Sequence, residues 1–329
     1  MFKKRSRGPN LKSNMGVNQR LQARRHKNCL IDQERSNRSE RVRLCIEERK
    51  EVLDHELSAF AAQVTWKFLK STWEVEPGQK DDDKDLIDFF RHIMTATVSQ
   101  EVVSKAVLPY TMDKFETRID LMFNALVQTE QLLSFSDLGN GTLHVASVGG
   151  GPGNDLVGVY LYVKCFMASS EFHGVCFDFC DSWGDIVSQV SSSLISPSAF
   201  DVLEKVDNAA RWSARYSPSN LLLSKLEFSV CDLKLGPHSS VNSNIVRDID
   251  LFDIICFSYV LFETAAHEYT LLSYLLDQCK VGSLTIILDL HTITMNRVID
   301  MIEANRFQQT LLGSTKEFRF KGLALRKLR

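Results

Sequence analysis

The sequence predicts an α/β protein whose mostly parallel sheet is closed by an antiparallel C-terminal hairpin and preceded by a helical extension. Beyond residue 139, short apolar runs alternate with segments of helical periodicity, which is typical of a parallel sheet with helices on both faces. Near the C-terminus, the strand-like runs 307–312 and 318–328 are close enough in sequence to pair antiparallel. The chain has 329 residues, of which 44% are hydrophobic and 24% charged. This is enough for one large domain with an extension.

Residues 1–38 are predicted to form a basic, flexible arm. The first 50 residues contain 15 Lys and Arg against 5 Asp and Glu, although the whole chain carries a net charge of −2. Such an arm suits a polyanion, and we expect it to bind RNA. A solvated tail and an address signal remain open alternatives.

The same arm bears on the location of the protein. No apolar signal segment follows Met1, so we expect an intracellular protein. The basic run KKRSR at 3–7 favours the nucleus or nucleolus, with the cytoplasm as an alternative. An Arg-rich, acid-poor start also leaves the mitochondrion open.

Residues 39–135 are predicted to form a helical extension. Apolar residues recur at helical spacing between Val42 and Phe68, which indicates one long amphipathic helix. Two more helices are expected at about 84–107 and 111–133, separated at Pro109 because proline disrupts a helix interior.

Residues 136–329 are predicted to hold the sheet. Strands are expected at 142–148, 174–179, 226–231, 252–258 and 284–289, with helices at about 154–168, 183–195, 264–278 and 292–304. The stretch 196–225 exceeds a minimal connection, and we expect an added helix or lid there. Its Trp212 and Tyr216 are expected to pack together or to stack on a ligand.

A glycine-rich turn follows the first predicted strand, in the sequence LHVASVGGGPGND at 143–155. Glycines at a strand-to-helix turn allow positive φ and close approach of backbone N–H groups to a ligand. The next two strands end in Asp178 and Asp232, where a ribose and an adenine would lie. The residues alone leave two ligands open: a dinucleotide and S-adenosylmethionine (SAM). No Tyr-x-x-x-Lys pattern begins at Tyr259, which favours SAM.

These segments resemble, in order and spacing, the motifs of the class I, Rossmann-like SAM-dependent methyltransferases. ASVGGGPGND resembles the first motif, DFCD the second, CDL the third and FSYVLFE the fourth, and 306–328 resembles the reversed final hairpin of this fold. The resemblance implies a SAM-dependent enzyme. It implies that Gly149, Gly151 and Gly153 pass the methionine moiety, that Asp178 holds the ribose, and that Asp232 and Leu233 hold the adenine.

The sequence departs from this pattern at one position. The family often has an acid two residues before the first glycine, where it meets the methionine ammonium, and this chain has Ser147. We expect Asp155 or a backbone carbonyl to take over that contact.

The end of the fourth strand and the residues that follow it supply three candidate catalytic residues, namely Ser258, Tyr259 and Glu263. Methyl transfer needs alignment and, for some acceptors, a general base. Glu263 or His267 is the candidate base, and the alternative is that Glu263 caps the following helix at Thr264. Ser258 stands where catechol-type enzymes of the family have an acid that helps bind Mg²⁺, and the cysteines form no CxxC pair. No metal is therefore expected, and no membrane span either.

The acceptor is less defined than the cofactor. GGGPG and the segment 181–183 weakly resemble eukaryotic rRNA uridine-N3 methyltransferases, and the basic arm points the same way. We expect an RNA acceptor, with a base or hydroxyl of rRNA as the target. The alternatives are a small-molecule N- or O-methyltransferase and a non-catalytic, methyltransferase-like ribosome-assembly factor. The sequence does not indicate an oligomeric state.

Overall fold

The computed structural model describes residues 83–94, 99–133, 138, 141–167, 171–195, 222–303, 305–313 and 321–329. The predicted arm, the helix between Val42 and Phe68 and the aromatic pair of the 196–225 stretch lie outside these residues. The boundaries of the arm, the extension and the sheet domain therefore stay predictions.

The described residues form seven strands and eight α-helices. The strands are β1 (Thr142–Val148), β2 (Glu171–Asp178), β3 (Leu222–Val230), β4 (Ile254–Ser258), β5 (Leu284–Asp289), β6 (Phe307–Leu312) and β7 (Lys321–Lys327). The helices are α1 (Asp83–Met94), α2 (Gln100–Leu133), α3 (Asn154–Phe166), α4 (Trp183–Ile195), α5 (Ser243–Asp248), α6 (Leu261–Thr264), α7 (Thr270–Gln278) and α8 (Thr292–Met301). None of these helices combines the length and the apolar character needed to cross a bilayer.

All seven strands form one sheet in the order β3-β2-β1-β4-β5-β7-β6. Strands β1 to β5 are parallel, whereas β7 pairs antiparallel with both β5 and β6. The chain leaves β1 toward β2 and β3 and then returns to β4 on the other side of β1. Ligands of open α/β sheets bind at such a reversal, at the carboxyl ends of the strands. The predicted fold class is confirmed.

Alternate residues of the strands enter two hydrophobic cores, one on each face of the sheet. In β1, Leu143 and Val145 face the core shared with α1 to α4, whereas Ala146 and Val148 face the core shared with α5, α7 and α8. Because both faces of the sheet are buried, the sequences of β1 and β4 are nearly continuous apolar runs.

The helical extension differs from the sequence prediction in two places. Pro109 lies inside α2 and does not end it. Its neighbours Ala106 and Thr111 are fully buried, and tertiary packing of this kind outweighs the cost of roughly 3 kcal/mol of an interior proline. Within the predicted helix 84–107, Ser99 is not helical: its hydroxyl accepts a hydrogen bond from the Val102 N–H at 3.4 Å and so caps α2, which begins at Gln100.

Several strand and helix boundaries also differ. Strand β2 begins at Glu171 and β3 at Leu222, so both extend beyond their apolar runs into polar residues. The predicted helix 264–278 is divided because Glu268 and Tyr269 adopt left-handed backbone conformations, with φ of 52° and 54°. Glutamate and tyrosine rarely adopt this conformation, so the sequence pattern does not predict the break in the helix.

Helix α2 packs unusually close to α3 at Gly158. A Cβ atom on Gly158 would lie 2.8 Å from the Ile119 carbonyl oxygen and 2.9 Å from the Met122 Cβ. A glycine is required here because both obstacles belong to the rigid part of the opposing helix.

We expect Gly158→Ala to lower the free energy of unfolding by about 1–3 kcal/mol, the usual cost of overpacking a core. This loss should appear although alanine favours a helix over glycine by roughly 1 kcal/mol. Urea unfolding measures the change. Gly236→Ala is the control, because a Cβ there meets no atom within 4 Å. A Gly158→Ala protein as stable as the wild type would contradict the close approach.

Candidate functional site

A cavity of about 280 Å³ opens at the carboxyl ends of β1, β2, β3, β4 and β5. This is the point where the strand order reverses between β1 and β4. Of the residues predicted to bind a cofactor or to act in catalysis, nine line the cavity: Gly149, Gly151, Asp155, Asp178, Asp232, Leu233, Ser258, Tyr259 and Glu263. Ser147, Gly153 and the alternative base His267 do not line it.

The glycine-rich turn after β1 forms one wall of the cavity. The N–H groups of Gly149 and Gly150 both donate to the Phe177 carbonyl, at 2.7 and 3.3 Å, and so fasten the turn to the end of β2. Gly149 has a φ of 69°, and a Cβ on it would lie 2.1 Å from Cγ1 of Val260. Gly153, with a φ of 81°, instead forms the left-handed residue that begins α3.

Asp178 lies at the end of β2 and is almost fully buried. Its carboxylate accepts hydrogen bonds from the N–H groups of Gly151 at 3.0 Å and Cys180 at 3.2 Å. Burial raises its pKa to about 6, although these N–H groups act in the opposite direction. Two carboxylate oxygens have about four acceptor positions, so the side chain retains capacity for a ligand's hydroxyl groups.

The loop after β3 places Asp232 and Leu233 beside Asp178. The Cys231 N–H donates to the Asp178 carbonyl at 2.9 Å, which joins the two strand ends. The Asn242 side chain fixes this loop through hydrogen bonds to its backbone. Its Oδ1 accepts from the Asp232 N–H, and its amide donates to the carbonyls of Asp232, Leu235 and Gly236. No feature of the sequence singles out this asparagine.

Asp155 occupies the first turn of α3 and is 1% exposed. The Ser147 hydroxyl donates to its Oδ2 at 3.0 Å, and the Asn154 amide donates to its Oδ1 at 3.2 Å. Burial raises the pKa of Asp155, while the hydroxyls of Ser258 and Ser147 and the charge of Arg118 lower it. Ser147 therefore acts through Asp155 rather than on the cavity itself.

The end of β4 contributes Ser258 and Tyr259. The Ser258 Oγ is buried and forms no hydrogen bond of normal geometry with the described residues, but its hydroxyl lies close enough to the Asp155 carboxyl to lower the pKa of that group. Tyr259 adopts a φ of 62°, which is unusual for an aromatic residue, and its N–H donates to the Leu288 carbonyl at 2.7 Å. Burial raises the pKa of the Tyr259 hydroxyl to about 12, so this phenol is neutral at physiological pH.

Glu263 lies in α6 at the cavity wall. Burial raises its pKa to about 7, with Lys234 acting in the opposite direction and Asp178, Asp289 and Asp232 adding to the rise. Beside it, Phe262 stacks on the His291 ring at a centroid distance of 4.7 Å. A carboxylate with a pKa near 7 can both accept and release a proton at physiological pH.

The extension contributes residues that the sequence analysis missed. Phe89, Phe90, Tyr110 and Arg118 all line the cavity, as does Trp183, whose ring meets Tyr110 edge-on at 5.7 Å. Helical periodicity shows that one face of α2 is buried, but not what it is buried against. The sequence feature that could have indicated a role for α2 in the cavity was the basic Arg118, which lies within an otherwise apolar stripe.

No protein-family model matches the chain, and a search of curated proteins gives no match. Solved structures do match. An rRNA methylase from Streptococcus thermophilus is 13% identical over 64% of this chain and 97% of its own, with a TM-score of 0.33. The rRNA methyltransferase aviRa from Streptomyces viridochromogenes is 12% identical over 63% and 84%, with a TM-score of 0.37. An O-methyltransferase from Thermotoga maritima is 11% identical over 64% and 72%, with a TM-score of 0.36.

At these identities and TM-scores the fold is assigned from the chain's own topology. The order of the five parallel strands reverses at β1, with β2 and β3 on one side of it and β4 and β5 on the other, and the antiparallel β7 lies between β5 and β6. The first strand leads through a glycine-rich turn into a helix, and the acids Asp178 and Asp232 follow the next two strands. The chain therefore has the Rossmann-like fold of the class I SAM-dependent methyltransferases.

Proposed function

We propose that this protein is a SAM-dependent methyltransferase. The observation that carries the proposal is the meeting, in one cavity, of the glycine-rich turn with the buried carboxylate of Asp178. The Gly151 N–H donates to this carboxylate, so the turn and the acid form one unit. A turn of this kind can receive the backbone of a nucleoside ligand, and the acid can receive its ribose hydroxyls.

The charge of the cavity fits this cofactor. Among the described lining residues, carboxyl groups outnumber Lys and Arg: Asp155, Asp178, Asp232, Glu263 and Asp289 stand against Arg118 and Lys234. SAM supplies a methyl group on a positively charged sulfonium, and an acidic lining attracts such a cation. A pyrophosphate would meet repulsion from the same carboxylates.

The residues that line the cavity have separate roles in this proposal. Asp178 would hold the ribose, Asp232 and Leu233 would hold the adenine, and the turn at 149–153 would receive the methionine part of SAM, which when bound would supply the methyl group from its sulfonium sulfur. Glu263, with a pKa of about 7, would accept the proton that the acceptor gives up. The neutral Tyr259 hydroxyl would orient the acceptor by hydrogen bonding rather than by removing a proton, and the Ser258 hydroxyl beside Asp155 could make a similar contact.

For the acceptor we propose RNA, with a base or hydroxyl of rRNA as the target and the nucleus, nucleolus or cytoplasm as the location. The support is the basic arm, with nine Lys and Arg and no acid in residues 1–30. The acidic cavity repels phosphate, so RNA contacts must come from elsewhere in the chain.

A small-molecule acceptor is the second candidate, and the aromatic wall formed by Phe89, Phe90 and Tyr110 favours it.

The cofactor assignment predicts binding of S-adenosylhomocysteine, the demethylated product of SAM, in calorimetry. Asp178→Asn should weaken this binding about 10- to 150-fold, because a hydrogen bond to a charged group contributes about 1.5–3 kcal/mol. The exposed neighbour Asp181→Asn is the matched control and should bind like the wild type. Wild-type protein that fails to bind at millimolar ligand, or that binds NAD more tightly, refutes the assignment.

The partly buried carboxyl of Glu263 predicts a pH-dependent stability. Its pKa rises from 4.5 to about 7 on folding, so its contribution to stability is full below pH 4.5 and is lost as the pH rises through 7. Glu263→Gln removes this titration. The free energy of unfolding of the variant, relative to wild type, should therefore increase by at most about 3 kcal/mol between pH 4.5 and 8.

Denaturant unfolding across this pH range measures the difference. The exposed Glu303→Gln is the control and should give a difference independent of pH. A flat profile for Glu263→Gln would show that this carboxyl ionises as freely in the fold as in water.

The RNA proposal predicts that binding to total RNA falls steeply with salt, with a slope of about −0.7 per neutralised phosphate for single strands. Deleting residues 1–30 should flatten this slope and leave the affinity for S-adenosylhomocysteine unchanged. The control, Lys105→Gln with Arg247→Gln, removes two exposed charges from the described region and should keep the slope. Equal slopes for full-length and truncated protein would remove the arm from RNA recognition. A methyl-transfer screen on RNA and on small metabolites then separates the two acceptors.

A further inference from the structure

The first turn of α2 contacts the loop that carries Asp178. The Gln100 side-chain amide donates a hydrogen bond to the Phe179 carbonyl at 3.2 Å. One turn further along the helix, the Ser104 and Ser182 hydroxyl oxygens lie 2.7 Å apart. Neither Gln100 nor Ser104 lines the cavity. The two side chains therefore touch the loop and not the space that a ligand would fill.

The donor and the acceptor in the contact between the two serines follow from the neighbouring bond. A hydroxyl has one hydrogen to donate, and the Ser104 hydroxyl donates it to the Gln100 carbonyl at 2.8 Å. The Ser182 hydroxyl is therefore the donor to Ser104. A helical serine commonly bonds the carbonyl four residues earlier, but Ser104 also accepts a hydrogen bond from a residue 78 positions away. Threonine could serve both functions, whereas alanine could serve neither.

The same loop fixes the Asp178 carboxylate. The Cys180 N–H donates to Oδ1 of Asp178 at 3.2 Å, and the Gly151 N–H donates to Oδ2 at 3.0 Å. Cys180 lies between Phe179 and Ser182, the two loop residues that α2 binds. Release of the loop from α2 would therefore move the Cys180 N–H relative to the carboxylate. The orientation of Asp178 depends on a helix that precedes it by more than 70 residues in the chain.

We propose that Gln100 and Ser104 are positioning residues that set the orientation of Asp178 toward the ribose hydroxyls of the cofactor. The inference rests on the proposed function, in which Asp178 receives these hydroxyls. A hydrogen bond weakens as its angle departs from linearity, so a carboxylate that can turn discriminates less between ligands with and without a hydroxyl. The first turn of α2 thus determines how strictly the ribose is recognised.

The position of the two residues allows this role to be tested without disturbing the core. Gln100 and Ser104 are exposed, and neither belongs to the two hydrophobic cores. Val103 lies between them in the sequence, is 1% exposed and still anchors this turn of α2 when they are replaced. Their substitution should therefore release the loop and leave the sheet folded.

The test compares two ligands that differ by one ribose hydroxyl. S-adenosylhomocysteine carries the 2′-hydroxyl, and 2′-deoxy-S-adenosylhomocysteine lacks it. By calorimetry on the full chain, wild-type protein should bind the first at least 10-fold more tightly, because the second cannot make one hydrogen bond to the Asp178 carboxylate. In the double variant Gln100→Leu with Ser104→Ala this preference should fall to less than 3-fold. The affinity for the deoxy ligand should stay within 3-fold of wild type.

Two control variants separate positioning from packing. Ser104→Thr retains a hydroxyl that can donate and accept, and it should keep the wild-type preference. Lys105→Gln changes an exposed neighbour on α2, which forms an ion pair with Glu101, and it should keep the preference as well. A loss of the preference in Ser104→Thr would contradict the role of the hydroxyl.

The remaining outcomes separate this inference from the proposed function. Wild-type protein that binds neither ligand refutes the proposed function. Wild-type protein that binds both ligands equally overturns the inference and leaves the cofactor assignment in place, because no recognition of the 2′-hydroxyl then exists for α2 to set. An unchanged preference in the double variant overturns the positioning role alone. An equal loss of affinity for both ligands makes the contact a general support of the fold and overturns that role as well.

Discussion

The close approach of α2 and α3 at Gly158 is the constraint on which the cavity depends. With no side chain at Gly158, Ile119 and Met122 of α2 come into contact with the backbone of α3. On the same helix, Arg118 and Tyr110 then reach the carboxyl edge of the sheet. A helix of the extension thus forms a wall of the site, and a shift of α2 by the width of one methyl group would displace its charged and aromatic side chains together.

Hydrogen bonds between neighbouring strand ends hold the opposite wall. The Gly149 N–H binds the Phe177 carbonyl, Cys231 binds the Asp178 carbonyl, and Tyr259 binds the Leu288 carbonyl. Each bond joins the loop of one strand to the end of the next. Consequently, groups that are far apart in sequence are fixed relative to one another before any ligand arrives, which is the preorganisation that tight binding requires.

The sequence was most informative where a strand ends in a polar residue. Asp178 and Asp232 each follow an apolar run, so their placement at one sheet edge follows from the alternation of strands and helices. Arg118 and Asn242 could not be found in this way, because their roles depend on which segment each faces after folding. Pro109 was misleading for the same reason, since burial of Ala106 and Thr111 stabilises the helix around it. Local patterns identify elements, whereas tertiary contacts select among the residues on them.

The position of β7 also affects how the protein is made. This strand, Lys321–Lys327, lies between β5 and β6 although it follows both in the chain. During synthesis, β5 therefore emerges from the ribosome with the apolar run Leu284–Leu288 and an unpaired edge. Such an edge invites pairing with other nascent chains until the later strand inserts. The sheet is complete only once Lys321–Lys327 has inserted between β5 and β6, so the edge of β5 stays open in every folding intermediate that lacks β7.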